Sequence, residues 1–404
     1  MTTFTTEELS PEHAETIRQT LPLVGSKIDQ IAPNFYQRMF HSHPELLRDT
    51  FNRGNQAQGA QQRALAASVA TFASLLVTPG APSPDEMLAR IGHKHVSVGI
   101  TESQYEIVHE HLFAAIVEVL GSDVVTQPVA EAWDEVYWIM ARALVRFERQ
   151  RYRELGVREG DVFHTVRVTR RIDHPGGAAS FELGALEGEP ALGGFEPGQY
   201  ISVRRTMADG AGQLRQYSLS NTGEDGCWQI TVKRIVGEEG PDGEVSSSII
   251  DGLHEGDELE VSWPTGDLVL QPGTEPVVLV SSGIGATPML GMARALAARG
   301  EQRELLTLHA DHDAATAPLV DELLEATREA GGRSHLWFSH GQRDDSRAGR
   351  MELSQVALPS GAQYYLCGGN GFLQNLRDQL DALGVPAESV HYELFSPNDW
   401  LLPG

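Results

Sequence analysis

Cysteine is nearly missing from this chain: 404 residues contain only Cys227 and Cys367. Two cysteines in separate strand-like segments make neither a disulfide framework nor a cysteine metal site, so a reducing cytoplasm is the expected setting. Positive charge is scarce too. Against 56 Asp and Glu stand 31 Lys and Arg, a formal net charge of −25. An acidic surface of this kind repels nucleic acid and anionic membrane, and neither is expected as a partner. No apolar run approaches the roughly 18 residues needed to span a bilayer. Met1-Thr-Thr-Phe-Thr-Thr-Glu-Glu has neither the basic start nor the apolar centre of a secretory leader. The expectation is a cytoplasmic protein with no stable membrane association, a monomer or weak dimer.

What is present divides the chain. Its length exceeds what one core serves, so two or three domains are expected. Residues 1–150 hold 7 of the 41 glycines, and this first part reads as helix throughout. Ser10-Pro11 is an N-cap followed by proline at the first helical position. Thr101-Glu102-Ser103-Gln104 is a capping box, and the helix behind it aligns Val108, Leu112, Ala115, Ile116 and Val119 on one face. A last long helix is expected from about Pro128 to Arg153. Past residue 156 the texture becomes short alternating runs, at Phe163–Thr169, Ser180–Leu183, Gln199–Val203, Trp228–Lys233 and Glu258–Ser262. Turn residues separate them, as in a small antiparallel β-barrel. From Glu275 buried-type strands alternate with helices, the pattern of an α/β parallel sheet. The reading is a multidomain chain, all-α over 1–155, antiparallel β-barrel over 156–271 and α/β over 272–404.

Within the barrel segment, the strand-like run Gly198–Val203, which includes Tyr200, precedes Arg215-Gln216-Tyr217-Ser218-Leu219-Ser220. Arginine offers a fixed fork of donors to phosphate, and an aromatic ring matches a flat apolar flavin; an ordinary amphipathic strand is the alternative. Gly243-Glu244-Val245-Ser246-Ser247 could hold a diphosphate through its backbone and hydroxyls, or be a polar turn. Ser281-Ser282-Gly283-Ile284-Gly285-Ala286-Thr287-Pro288 follows a buried strand and opens a helix. Its glycines permit close backbone approach, and the helix start presents free N–H groups to a pyrophosphate. Leu366–Phe372 is a second such turn, either a plain strand-to-helix connection or a nicotinamide-side loop. Tyr392-Glu393-Leu394-Phe395 comes near the end. In this order and spacing, residues 157–397 resemble the ferredoxin–NADP reductase superfamily. The resemblance places Arg215 on the FAD diphosphate, Tyr217 on the isoalloxazine ring, Ser218 near flavin N5 and Phe395 on the flavin face, with Tyr200 and Gln216 beside them. Gly243, Val245 and Ser246 then serve the FAD diphosphate, and Gly283, Gly285, Thr287 and Pro288 the nicotinamide dinucleotide. No arginine site for a 2′-phosphate stands out, so NADH and NADPH both remain.

The helical part contains His93 and His95, two residues apart and so on roughly opposite sides of a helix. His95 shares a face with Leu88 and Ile91 and is expected to point inward; His93 falls with Ala89 and Arg90 and is expected to point out. An inward histidine is either a hydrogen-bonded core residue or a ligand. Asn34–Phe40, His43–Leu47, Phe51-Asn52 and Gly92–His95 together resemble the bacterial flavohaemoglobins. That resemblance implies haem b with His95 as the iron ligand, Tyr36 and Gln61 as distal donors, Leu65 as the apolar distal wall and Phe51 packed on haem. Independently, Gln61, Leu65, Ser68 and Phe72 share one helical face. The resemblance also supplies Glu148 and Tyr105 behind the ligand, and Lys94 with Glu393 as a pair near the electron path. Tyr36 could otherwise be a half-buried core tyrosine, Gln61 a solvated helix residue, and Glu148 a surface ion-pair partner. The implied activity is NAD(P)H-driven conversion of nitric oxide and dioxygen to nitrate through FAD and haem. The rivals are oxygen or nitric oxide sensing, and reduction of alkyl hydroperoxides or ferric compounds by the flavin part. Leu394, the loop Ala185–Gly194 and the tail from Ser396 depart from the family pattern.

Overall fold

The computed structural model describes residues 4, 7–54, 60–237, 242–341 and 343–395, with side chains from 64 onward in the helix that starts at 60. By their contacts these residues form two compact units. One gathers the chain through Phe163 together with Thr206–Leu214; the other holds His164–Arg205 and the chain from Arg215 on.

The first unit is built of α1 (Pro11–Ser26), α2 (Ile28–Ser42), α3 (Pro44–Asp49), α4 (Ala60–Val77), α5 (Asp85–Val98), α6 (Glu102–Leu120) and α7 (Gln127–Leu155). Ser10 caps α1 by accepting from the His13 N–H at 3.3 Å. The capping box at α6 forms as its spacing predicts, with the Thr101 N–H donating to Gln104 Oε1 at 2.7 Å. Glycine stops α5: Gly99 adopts φ 76°, a left-handed cap that ordinary residues resist. The helices close around Ile17, Phe35, Met39, Phe72, Leu88, Leu112, Val136 and Leu144.

The second unit carries most of an antiparallel sheet. Its strands are β1 (Phe163–His174), β2 (Ala178–Gly184), β3 (Tyr200–Thr206), β4 (Gly212–Ser218), β5 (Trp228–Lys233) and β6 (Glu258–Ser262), ordered β4-β3-β6-β1-β2-β5. A bridge from Leu219 to Ile230 ties the end of β4 to β5, bringing the two edge strands together as a barrel requires. Helix α8 (Glu244–Gly252) follows β5. The remaining elements are β7 (Val277–Ser282), α9 (Ala286–Arg299), β8 (Leu305–Asp313), α10 (Val320–Glu329), β9 (Arg333–His340), β10 (Ser346–Ala348), β11 (Gln363–Gly368), α11 (Asn370–Ala382) and β12 (Val390–Leu394). They make an all-parallel sheet ordered β10-β9-β8-β7-β11-β12. Chain order reverses between β7 and β11, and the carboxyl ends of the strands at such a reversal are the usual ligand position in sheets of this kind.

Candidate functional site

In the helical unit, α5, α6 and α7 bring His95, Tyr105 and Glu148 together. Glu148 is 2% exposed, which removes the surface ion-pair alternative. Its Oε1 accepts from the Tyr105 hydroxyl at 2.5 Å and from His95 Nδ1–H at 2.8 Å; Tyr105 Oη lies 2.9 Å from the same nitrogen. Burial, reinforced by the Glu148 charge, pushes the Tyr105 hydroxyl well above its ordinary range, so it stays a donor. Tyr137 donates to the Tyr105 carbonyl at 2.6 Å and anchors the helix that presents it. With Nδ1–H committed, Nε2 on the opposite ring edge is the nitrogen left for a metal. The side chain of His95 is 30% exposed.

His93 does not point out. It is 6% exposed and packs edge-on against Phe147, 5.0 Å between centroids. The cause is Gly92, whose missing side chain lets α7 close in: a Cβ there would stand 2.4 Å from the Phe147 ring. Helix α5 is therefore covered on two faces. Burial and the nearby Arg151 charge hold His93 down to about 3. Tyr36 is buried among Phe35, Phe40 and Phe51, at 4.6, 5.4 and 5.7 Å between centroids, not half-buried. Leu65 and Phe51 pack on the same core. Gln61 lies on α4, but its side chain falls outside the described residues. Lys94 is exposed on α5.

In the other unit, Tyr200 and Ser218 are buried, and Gln216 donates to Ser202 Oγ at 2.8 Å. Burial raises the Tyr217 hydroxyl above its ordinary range; Arg215 opposes this. Alternation along β4 sets Arg215 and Tyr217 on one face. The end of that strand meets α9 through Gly291, where a Cβ would stand 2.6 Å from the Leu219 carbonyl oxygen. Arg294 on α9 also donates to the Ser220 carbonyl at 2.9 Å. Ser246 uses its hydroxyl internally, donating to the Gly243 carbonyl at 3.0 Å and accepting from the Ile235 N–H at 3.2 Å, while Val245 is fully buried. Both therefore shape the turn. Gly283 has φ 53°, and a Cβ on Gly285 would stand 2.4 Å from the Cys367 carbonyl oxygen. The turn Gly283–Gly285 thus presses against the end of β11, at the point where strand order reverses. Thr287 donates to the Ile284 carbonyl at 3.0 Å and Pro288 is buried, so both brace the helix start. Glu393 is buried on β12, and Phe395 just after it is 47% exposed.

Residues 33–144 match the Globin family and residues 168–270 the family described as Oxidoreductase FAD-binding domain. Flavohemoproteins of Deinococcus radiodurans and Bacillus subtilis are 36% and 33% identical, over 98% and 95% of this chain and 99% and 96% of theirs. The chain belongs to the flavohemoprotein family. Among solved structures, flavohemoglobin from Malassezia yamatoensis with bound FAD and heme superimposes with TM-score 0.87 at 32% identity, covering 96% of this chain and all of that one. The FAD/NAD binding domain of nitric oxide dioxygenase from Vibrio cholerae matches 58% of this chain and 98% of its own, with TM-score 0.54 at 32% identity.

Three arrangements in this flavohemoprotein fit the groups its family implies. His95 keeps one nitrogen for iron while a buried carboxylate fixes the other. The Arg215–Ser218 strand offers a cation and an aromatic ring on one side. The Gly283–Gly285 turn opens a helix beside a second glycine strand-end, Gly368. Reading by motif missed a buried set at the sheet's carboxyl end. There Ser281 Oγ lies 2.8 Å from His309 Nδ1, while His309 Nε2 and Asp311 Oδ2 face each other at 3.9 Å without a hydrogen-bond partner. The alternation of β8, with a histidine among apolar residues, was the available signal.

Proposed function

We propose that this flavohemoprotein is an NAD(P)H-dependent nitric oxide dioxygenase, an oxidoreductase that converts nitric oxide and dioxygen to nitrate. The observation that carries the reading is the buried Glu148–Tyr105 pair on His95 Nδ1. A carboxylate accepting the histidine N–H orients the ring and makes Nε2 more basic, which favours activating oxygen over merely carrying it. The balance is simple: one nitric oxide, one dioxygen and one electron make one nitrate, so each hydride serves two turnovers. Bound NADH or NADPH, FAD and haem b supply the hydride, its division into single electrons and the gas chemistry.

The protein positions and tunes. His95 is the iron ligand, with Tyr105 and Glu148 behind it. Tyr36 and Gln61 are the polar distal groups; Phe51 and Leu65 supply apolar walls. Tyr200, Arg215, Gln216, Tyr217, Ser218 and Phe395 hold flavin, with the backbone of Gly243–Ser246 at its diphosphate. Gly283, Gly285, Thr287 and Pro288 take the dinucleotide pyrophosphate. Lys94 and Glu393 lie near the electron path. On this reading the haem domain is 1–155, the FAD domain 156–271 and the NAD(P) domain 272–404. Its partners are the two gases. Among the described residues no helix is long and apolar enough to cross a membrane, and the scarcity of cysteine supports cytoplasmic work.

Nitric oxide consumption driven by NADH tests this. His95→Ala should abolish it yet leave NADH-driven reduction of an artificial flavin oxidant such as ferricyanide. Tyr36→Phe should slow it; unchanged turnover would show that the Tyr36 hydroxyl has no distal role. Consumption unaffected by His95→Ala would move the chemistry to the flavin part.

A further inference from the structure

Gln213 stands on β4 two residues before Arg215, yet its side chain reaches none of the flavin string. It is fully buried, 0% exposed. Its Nε2 donates to the carbonyls of Arg48 at 2.9 Å, Phe51 at 3.3 Å and Leu47 at 3.4 Å, and its Oε1 accepts from the Arg53 N–H at 3.2 Å. Leu47 and Arg48 close α3, where the last helical carbonyls have no partner within the helix. One side chain amide therefore caps α3 and holds both sides of the corner after it. The backbone around it repeats the grip. The Gly212 N–H donates to Asp49 Oδ1 at 2.9 Å, and Arg48 Nη2 donates to the Gly210 carbonyl at 2.8 Å. Arg53 pairs with Asp209 at 2.5 Å. The corner carries Phe51, whose ring meets Tyr36 at 5.7 Å and Phe40 at 5.3 Å. A glutamine amide meets these demands at once, donating to carbonyls and accepting from an N–H: an aspartate or glutamate cannot donate when ionised, and an apolar residue would leave buried carbonyls without partners.

We propose that Gln213 is a positioning residue that sets the Leu47–Arg53 corner, and with it Phe51 and Tyr36, and that FAD held along Arg215–Ser218 of the same strand steadies this corner through Gln213. The inference rests on the flavin reading given above. A strand advances roughly 3.3 Å per residue with little freedom between neighbours, so fixing residues 215–218 restricts residue 213 directly. Loading flavin then prepares the pocket that will receive its electrons.

The test uses the full-length chain, stripped of FAD and then reloaded, with hydrogen exchange read at the amides of Thr50, Phe51 and Arg53. Reloading should slow exchange there about tenfold in the natural chain, the scale of one buried hydrogen bond. Gln213→Leu should exchange fast with or without FAD. Should that variant fold poorly, Gln213→Glu serves. It should lose the FAD response at pH 8, where the carboxylate cannot donate, and regain it toward pH 5, where the protonated acid can. A merely structural role would not return on acidification. Asp209→Asn, which removes the exposed ion pair, should keep the response; if it abolishes it as fully as Gln213→Leu, the amide is not the element responsible and the assignment falls. FAD that binds without slowing the corner in the natural chain overturns the proposal alone. If Arg215→Ala binds FAD as tightly as the natural chain, the flavin reading falls and takes the proposal with it.

Discussion

Removing the Glu148 carboxylate should do far more than shaving off a surface charge. Two donors converge on its Oε1, His95 Nδ1–H at 2.8 Å and Tyr105 Oη–H at 2.5 Å, in a site 2% exposed. Glu148→Ala leaves the buried Tyr105 hydroxyl without an acceptor, while His95 Nδ1–H can turn to Tyr105 Oη, 2.9 Å away. A buried unpaired donor costs about 1–3 kcal/mol, and the cavity left by the side chain adds to it. Glu148→Gln keeps the shape, and its amide oxygen can accept both hydrogens. Only the charge assistance is lost, about 1 kcal/mol per bond, and part of that is offset because a neutral amide is easier to bury than a carboxylate. In the haem-free chain, helix unfolding followed by circular dichroism in urea should therefore show a large loss for alanine and a small one for glutamine. Haem retention should rank differently. Both variants weaken the hold on the imidazole, so both should release haem to an acceptor protein about 10- to 100-fold faster. An alanine variant within about 1 kcal/mol of the natural chain and equally retentive of haem would refute this account of the proximal side.

Gly285→Ala drives a Cβ to 2.4 Å from the Cys367 carbonyl oxygen; it should cost about 2 kcal/mol or more and sharply raise the KM for NADH in ferricyanide reduction, while an unchanged KM and melting point would show that the turn does not press on β11. Gly92→Ala places a Cβ 2.4 Å from the Phe147 ring. An about 1–3 kcal/mol loss is expected in thermal unfolding, and a loss below about 0.5 kcal/mol would mean that Phe147 moves aside freely. His174, half-buried and bonded to Ser180 Oγ at 2.7 Å, has its proton affinity lowered from the ordinary 6.5 by that burial, which outweighs Glu322. The unfolded chain therefore takes a proton at a higher pH than the folded one. Stability is complete above about 6.5 and falls as pH drops below it; urea midpoints at pH 7.5 and 5.5 should converge in His174→Leu, and parallel losses would exclude His174 as the source.

The architecture was legible because each part writes its period plainly. Apolar residues spaced for helices, alternating runs in the barrel and the buried strand at Val277–Val280 all lie where sequence periodicity puts them. The strand-to-helix turn at Gly283–Gly285 was legible because its glycines mark a positive φ and a close backbone approach, and both are there. What periodicity missed has a common physical form. His93 was assigned outward because one helical face was assumed to be buried, yet α5 lies against α7 as well. The glycine beside it, Gly92, is the mark of that second contact, and a glycine in mid-helix is a reason to expect close approach. Ser246 reads as a phosphate ligand because hydroxyls bind phosphate; its hydroxyl also meets two main-chain groups, the Gly243 carbonyl and the Ile235 N–H, which no motif signals. Gln213 carries no signal in the sequence. In sequence it is one polar residue in a strand, and its partners are carbonyls more than 160 residues earlier. Main-chain groups carry no residue identity, so no motif can announce them. A buried glutamine with four backbone partners is found by asking where each polar atom goes, and here those partners lie on both sides of the corner bearing Phe51.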